Sequence, residues 1–321
     1  MNRTFRQIRK IRFYAGNALS TLVPDAFFRS RLPRILSAVT PDTRDELLEC
    51  VDYYLGLDKP FALPDTAVSF REVPRGKHYN YYFDLRTVTR YLPADARFPY
   101  LFGDVRHVPQ VPTLVKSRPI GEGNRNAVLM KLNQIRHFFF VKNDKPFTDK
   151  KDALVWRGKC FGRSHRREFL ERFYVNPRCD VGDTATRPED GPHRRRFLSV
   201  SRQLGYKFIL SLEGNDVATN LKWILSSNSL CLMPRPRFET WFIEGRLEAN
   251  RHYVMLEDDY SDLEEKMDHF LANPHEALAI IQNAQAHVAR FKKTAQELLL
   301  CLLVMQKYLH LSGQESCWPD L

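Results

Sequence analysis

Three short segments carry the residue types that hold a diphosphate and the groups attached to it. Trp156-Arg157-Gly158-Lys159 places a guanidinium and an ammonium on either side of a glycine. A guanidinium presents two parallel N–H donors to a phosphate, and a glycine lets the backbone approach closely. Glu213-Gly214-Asn215-Asp216 leads into a helical stretch whose first amides are free to face an anion. In Pro234–Trp241, Glu239 is an acceptor for ribose or sugar hydroxyls. Each segment also has a plainer reading. Arg157 would then pair with Glu168 or Glu171 at the surface, Gly214-Asn215 would be an ordinary turn, and Glu239 a solvated helix residue.

What unites the three is position. Ala153–Trp156, Tyr206–Leu212, Leu230–Met233 and Tyr253–Leu256 read as strands, separated by helices at about Ser164–Tyr174 and Asp216–Leu225 and a short helix at Phe238–Ile243. Strands alternating with helices specify a parallel sheet with right-handed crossovers, and such sheets bind ligands at the carboxyl ends of their strands. All three segments follow a strand. The Pro- and Arg-rich stretch Asn176–Arg196 reads as a surface loop. Ser261-x-x-Glu264 has the form of a capping box, Asn273-Pro274 marks a helix running to about Phe291, and a last helix spans Thr294–Leu311. The first half is less regular. A helix is expected over 41–58, capped by Asp42 or Thr43, with Leu47, Leu48, Val51, Tyr54 and Leu55 on its buried side. Strand-like runs follow at Ala67–Phe70, Tyr79–Phe83, Tyr100–Phe102, Thr113–Val115 and Ile135–Val141, with a short helix at Asn126–Leu132. The expected division is an α/β domain over 1–150, a Rossmann-like domain over 151–293, and a helix and tail over 294–321.

At 321 residues the chain exceeds the usual extent of one core. A composition 43% hydrophobic and 27% charged excludes a disordered chain. The net charge of +11 implies anionic partners: nucleic acid, an anionic membrane surface or a phosphorylated substrate. It is regional. Residues 1–36 hold eight Lys/Arg against Asp25 alone, residues 151–210 hold a second basic block that includes Arg163, Arg166 and Arg194-Arg195-Arg196, and Glu257–Asp268 is acidic. As a helix the N-terminal segment groups Phe5, Ile8 and Phe13 apart from most of its basic residues, either a membrane-interface helix or an ordinary surface helix. The six cysteines show no C-x-x-C or zinc spacing and read as reduced thiols of a cytosolic protein. No apolar h-region follows the basic N-terminus, and Leu298–Met305 is too short to span a bilayer. Phosphate-loop, dinucleotide, nucleophile-elbow and metalloprotease motifs are absent, and Asp258-Asp259 reads as a solvated cap cluster. A departing diphosphate would therefore be stabilised by Arg, Lys and helix amides.

The run from Tyr206 to Leu225, with Ser229–Met233, Phe238-Glu-Thr-Trp-Phe, His252-Tyr-Val and Ser261–Lys266, resembles glycosyltransferase family 90. Trp156-Arg157-Gly158 is similar to that family's Arg-Gly-Ser segment. Phe102–Pro112, Val115-Lys-Ser-Arg-Pro-Ile and Asn126–Phe140 resemble its bacterial lipopolysaccharide-core branch. The resemblance covers about residues 79–292. It implies two Rossmann-like domains facing a cleft (the GT-B type), with the C-terminal helices packing back toward the first domain. It implies a UDP-sugar donor, glucose or galactose, inversion at the anomeric carbon, and no cofactor or essential metal. Carried over by position, Arg157 lies on the diphosphate with Gly158 and Lys159, Lys222 on the donor-side helix, and Glu239 on donor hydroxyls. The relatives' V-R-D-x-P-Q segment reads here Val105-Arg106-His107-Val108-Pro109-Gln110, with His in place of Asp. Inversion needs a base within reach of the acceptor hydroxyl, and Asp104 or His107 is the candidate. Arg106, Lys116 and Arg118 would meet a phosphorylated inner-core acceptor, its accepting sugar a heptose, on the cytoplasmic leaflet of the inner membrane. A basic nucleic-acid-binding protein and a non-catalytic family member are the competing expectations. The first lacks an RNP-type motif, helix-turn-helix or zinc spacing.

Overall fold

A computed structural model describes residues 3–76, 78–185 and 193–318. Two units emerge. Residues 136–237 and 244–290, with the first ten, form one; residues 11–135, 238–243 and 291–321 form the other. The units therefore do not follow the expected bounds at 150 and 293, because Phe238–Ile243 and the last helix both belong with the first half of the chain.

Along the chain come helices α1 (Arg3–Ser20), α2 (Asp25–Arg29), α3 (Leu32–Leu36) and α4 (Pro41–Tyr54). Strand β1 (Val68–Ser69), helix α5 (Tyr79–Thr89), and strands β2 (Arg97–Phe98), β3 (Tyr100–Leu101), β4 (Thr113–Val115), β5 (Ser117–Pro119) and β6 (Ala127–Leu129) follow. Helix α6 (Gln134–His137) leads to β7 (Lys151–Gly158), α7 (Ser164–Phe173), β8 (Cys179–Asp183), α8 (Val200–Gln203), β9 (Tyr206–Leu210), α9 (Leu221–Leu225) and β10 (Leu230–Met233). The remainder is β11 (Phe238–Thr240), β12 (Val254–Met255), α10 (Leu263–Ala272), α11 (Pro274–Arg290) and α12 (Thr294–Leu311).

The unit built on residues 136–237 holds the expected parallel sheet, ordered β12-β10-β9-β7-β8. Its strands are near-continuous apolar runs, with Leu154, Val155, Phe208, Ile209, Leu210, Leu230 and Leu232 fully buried, as strands covered on both faces require. Counted in chain order the arrangement is 2-1-3-4-5, so the direction of winding reverses between β7 and β9. Strand β8 lies inside the stretch expected to be a loop; Asn176–Arg196 is an edge strand followed by a connection, of which residues 186–192 lie outside the described residues.

The other unit carries a three-stranded parallel sheet, β3-β4-β6, and an antiparallel pair, β5 with β11. Six local expectations are corrected here. Tyr79–Phe83 opens helix α5, since Tyr81, Tyr82, Leu85 and Val88 recur at helical spacing as its buried face. Asn126–Leu132 supplies strand β6, and the 135–141 run contains α6 in place of a strand. Phe238–Ile243 begins as strand β11, and Glu239 pairs with Arg118 across 121 residues of sequence. Helix α4 is capped by Thr40, whose amide donates to Thr43 Oγ1 at 3.1 Å, with Pro41 at its first position. The Ser261 box does not form, because α10 begins after Asp262. Helix α12 is buried along nearly its whole length, and Lys307 Nζ reaches Asp52 at 2.6 Å from it. Among the described residues no helix is long and apolar enough to cross a membrane.

Candidate active site

The reversal between β7 and β9 is where a crevice opens in sheets of this order, and the first two sequence segments and the start of the third, Pro234–Arg237, lie at these strand ends. Strand β7 delivers Lys159, β9 delivers Glu213 to Asp216, and β10 delivers Pro234 to Arg237. Helix α7 supplies the links. Arg166 donates to the carbonyls of Lys159 (2.9 Å), Leu212 (2.7 Å) and Glu213 (2.8 Å). Arg163 Nη2 donates to Asn215 Oδ1 at 2.9 Å, while its Nε is buried with no hydrogen-bond partner among the described residues. His165 Nε2 lies 3.0 Å from the Glu213 carbonyl, so the proton sits on that nitrogen. The Glu213 carboxylate accepts from the Arg237 backbone amide and guanidinium at 2.9 and 3.0 Å.

The electrostatics follow from this crowding. Burial pushes Arg166 down to about 10, with neighbouring Arg163 acting in the same direction. Burial also holds the His165 imidazole below its ordinary value, so it is neutral near pH 7. The outcome is a set of cations at strand ends, partly satisfied by backbone carbonyls.

Several expected residues sit elsewhere. Adjacent strand positions face opposite ways. Trp156 and Gly158 share one side of β7, and a Cβ at Gly158 would collide with the Trp156 ring, so this glycine serves packing. Arg157 faces the other way, donating to the Asp180 carboxylate and carbonyl at 2.5 Å each. Asp180 also accepts from Tyr206 at 2.6 Å. Lys222 lies on α9, fully buried, with its ammonium 2.7 Å from Glu244. Glu239 is 2% exposed in the other unit, accepting from Arg118 Nε at 2.7 Å and from the Tyr53 hydroxyl. Arg118 spends its remaining donors on the Tyr53, Tyr54 and Ala127 carbonyls. Lys222 and the Arg118–Glu239 pair are thus buried cross-links inside their units. Sequence reasoning placed Arg163 and Arg166 only in a basic block and did not single out His165 or Arg237. Their signal was position at the very start of the crossover helix, or one loop beyond a strand.

In the second parallel sheet, Asp104 follows β3 and Lys116 follows β4, again at carboxyl ends. Lys116 Nζ lies 2.7 Å from Asp104 Oδ1. The lysine side chain is 1% exposed and the aspartate 28%, so the carboxylate meets a buried ammonium on one side and remains open to solvent on the other. Gly103, at φ +115°, makes the turn that presents it. Arg106 and His107 are exposed on the same loop. Among the described residues no group of three or more His, Cys, Asp or Glu is placed to hold a metal ion.

Taken separately, the cations at the first sheet suit an anion, and the solvent-open carboxylate at the second suits proton transfer. Residues 128–313 match the profile of Glycosyl transferase family 90. Over 310 residues, 95% of this chain and 97% of the relative, the sequence is 49% identical to a Dichelobacter nodosus protein named O-glucosyltransferase LpsA. The chain therefore belongs to glycosyl transferase family 90 and is a glycosyltransferase.

Proposed function

We propose that this glycosyltransferase moves a hexose, glucose or galactose, from a UDP-sugar to an inner-core sugar, heptose, of lipopolysaccharide, with inversion and without a metal. The observation that carries the reading is the cation cluster at the β7–β9 reversal, where Arg163 keeps a buried donor with no hydrogen-bond partner among the described residues. The relative's name favours glucose.

The reading takes the two units as the two Rossmann-like halves of a GT-B transferase. The diphosphate lies on Arg163, Lys159 and the backbone at Gly214-Asn215. Arg157 reaches it only by leaving Asp180. The acceptor hydroxyl gives its proton to Asp104, which is paired with Lys116. The hydroxyl oxygen bonds to the anomeric carbon as that carbon's bond to the phosphate oxygen breaks, and UDP leaves with its new negative charge facing the cations. Arg106 meets phosphate on the acceptor, and the protein works at the cytoplasmic face of an anionic inner membrane.

The test is transfer from UDP-glucose, UDP-galactose and GDP-mannose to a heptose-terminated core oligosaccharide, with and without EDTA. We expect transfer from one UDP-hexose, unchanged by EDTA, with the anomeric configuration reversed in the product. Transfer only from GDP-mannose, loss of transfer in EDTA, or retained configuration would each overturn a named part of the reading.

A further inference from the structure

Away from these residues, the unit built on residues 11–135 contains a cavity of about 540 Å³ whose lining includes five arginines, Arg29, Arg71, Arg75, Arg86 and Arg90, against one carboxylate, Asp25. None of the residues assigned above to donor, base or acceptor lines it. Arg86 and Arg90 stand one turn apart at the end of α5. Arg86 Nη2 donates to Asp25 Oδ1 at 2.9 Å, and Arg90 Nε is 3.9 Å from the same oxygen. Two guanidinium groups thus share one carboxylate. Arg90 is 7% exposed and is anchored by a 2.8 Å bond to the Ser20 carbonyl and by the Phe28 ring beneath it. The Nε atoms of both arginines are buried with no hydrogen-bond partner among the described residues. Burial, and then Arg86, lower the Arg90 pKa, as expected where positive charge is under-compensated. Arg71 and Arg75 are exposed, and Arg75 Nε donates to the Tyr82 hydroxyl at 3.2 Å.

Keeping this many guanidinium groups around one carboxylate is costly unless an anion joins them. Their planar forks fit tetrahedral phosphate, and the surplus of charge suits a multivalent anion over a single carboxylate.

The segment feeding the cavity indicates how such a phosphate is presented. On α1 and its continuation, Ile11, Ala15, Ala18, Leu19 and Leu22 recur at helical spacing and all face solvent; Ile11 is 65%, Leu19 66% and Leu22 78% exposed. Phe13, Asn17 and Ser20 form the inner, half-buried side. The chain then enters the cavity wall at Pro24-Asp25-Ala26. An apolar outer stripe, with Arg12 exposed on the same helix and Arg31 and Arg34 exposed further along the chain, fits an anionic bilayer surface, where apolar side chains enter the acyl boundary and cations meet headgroups.

We propose that the arginine-lined cavity binds the phosphate of a lipid headgroup while the Ile11–Leu22 stripe lies in the same bilayer surface.

The test is flotation of the full chain with phosphatidylcholine vesicles, with and without phosphatidic acid, beside a titration with inorganic pyrophosphate. It needs no donor sugar, so it stands apart from the transferase assay. Two variants probe the parts. The first is Arg71→Gln with Arg75→Gln, both exposed; the second is Leu19→Ser with Leu22→Ser. Unchanged melting temperatures confirm that each folds. We expect binding that requires phosphatidic acid and is weakened about ten-fold or more by each variant, as loss of a charge-assisted contact or of apolar insertion implies. Vesicle binding that neither variant alters would overturn the proposal. So would Arg71/Arg75-dependent pyrophosphate binding with no vesicle binding, which would mark a site for soluble anions. Self-association lost in the Leu19/Leu22 variant, again without vesicle binding, would give the stripe to a second copy of the chain and equally overturn it.

Discussion

At the carboxyl ends of β7, β9 and β10, the guanidinium groups of Arg163, Arg166 and Arg237 gather around the Glu213 segment, and much of their hydrogen bonding goes to backbone carbonyls. At the carboxyl ends of β3 and β4, one half-exposed carboxylate meets one buried ammonium. The first arrangement carries positive charge awaiting a partner; the second is balanced as it stands. That contrast suits different tasks. A diphosphate brings charge into its site and benefits from cations already in place, whereas a base must be ionised before its substrate arrives. Arg118–Glu239 and Lys222–Glu244 differ from both, being buried ion pairs with side-chain exposures of 4% or less.

If the balanced pair is the proton acceptor, Asp104→Asn lowers the transfer rate about a thousand-fold while UDP still raises the melting temperature. His107→Ala then changes the rate less than ten-fold, and the reverse ranking in single-turnover assays would move the base to His107. Next in size is the buried Arg118–Glu239 pair. Glu239→Ala leaves Arg118 buried without its carboxylate and costs about 3 kcal/mol in denaturant unfolding. A variant that folds normally but loses only donor affinity would return Glu239 to the binding site. Arg163→Ala should weaken UDP binding about ten-fold by calorimetry. Arg157→Ala should leave UDP binding unchanged and lower the melting temperature, because its partner is Asp180.

The smallest effect concerns His165. Its folded pKa lies below the ordinary 6.5, so the unfolded chain binds the proton more readily. The associated stability is complete above about pH 6.5 and is lost as pH falls toward the folded value. Melting curves of the protein and of His165→Gln should therefore converge as pH drops from about 7.5 to 5.5.

The parallel sheet of residues 151–256 was legible because runs such as Leu230–Met233 are apolar throughout and bounded by turn residues. Its edge strand was not: Cys179–Asp183 contains two aspartates and a glycine inside a polar stretch, which an edge position tolerates. Tyr79–Phe83 looked like a strand from its aromatics alone, and the helical spacing appears only when the window reaches Val88. Strand β11 had no local signal, since what makes it a strand is pairing with Ser117–Pro119 far earlier in the chain. In the site, positions at strand ends were foreseen, but the direction of Arg157 was not. One-residue alternation decides it, and a strand boundary known only to within a residue or two leaves that open.

The unit that carries Asp104 draws on three stretches of sequence, Ile11–Ile135, Phe238–Ile243 and Phe291–Leu321. During synthesis the ribosome delivers these in order, so β5 waits for β11, and the contacts around Tyr308 and Lys307 wait for α12. The first stretch to leave the exit tunnel is thus among the last to be completed. A chain terminated before α12 would lack the inner wall of its amino-terminal unit and expose Leu47, Val51 and Tyr54 to chaperones and proteases.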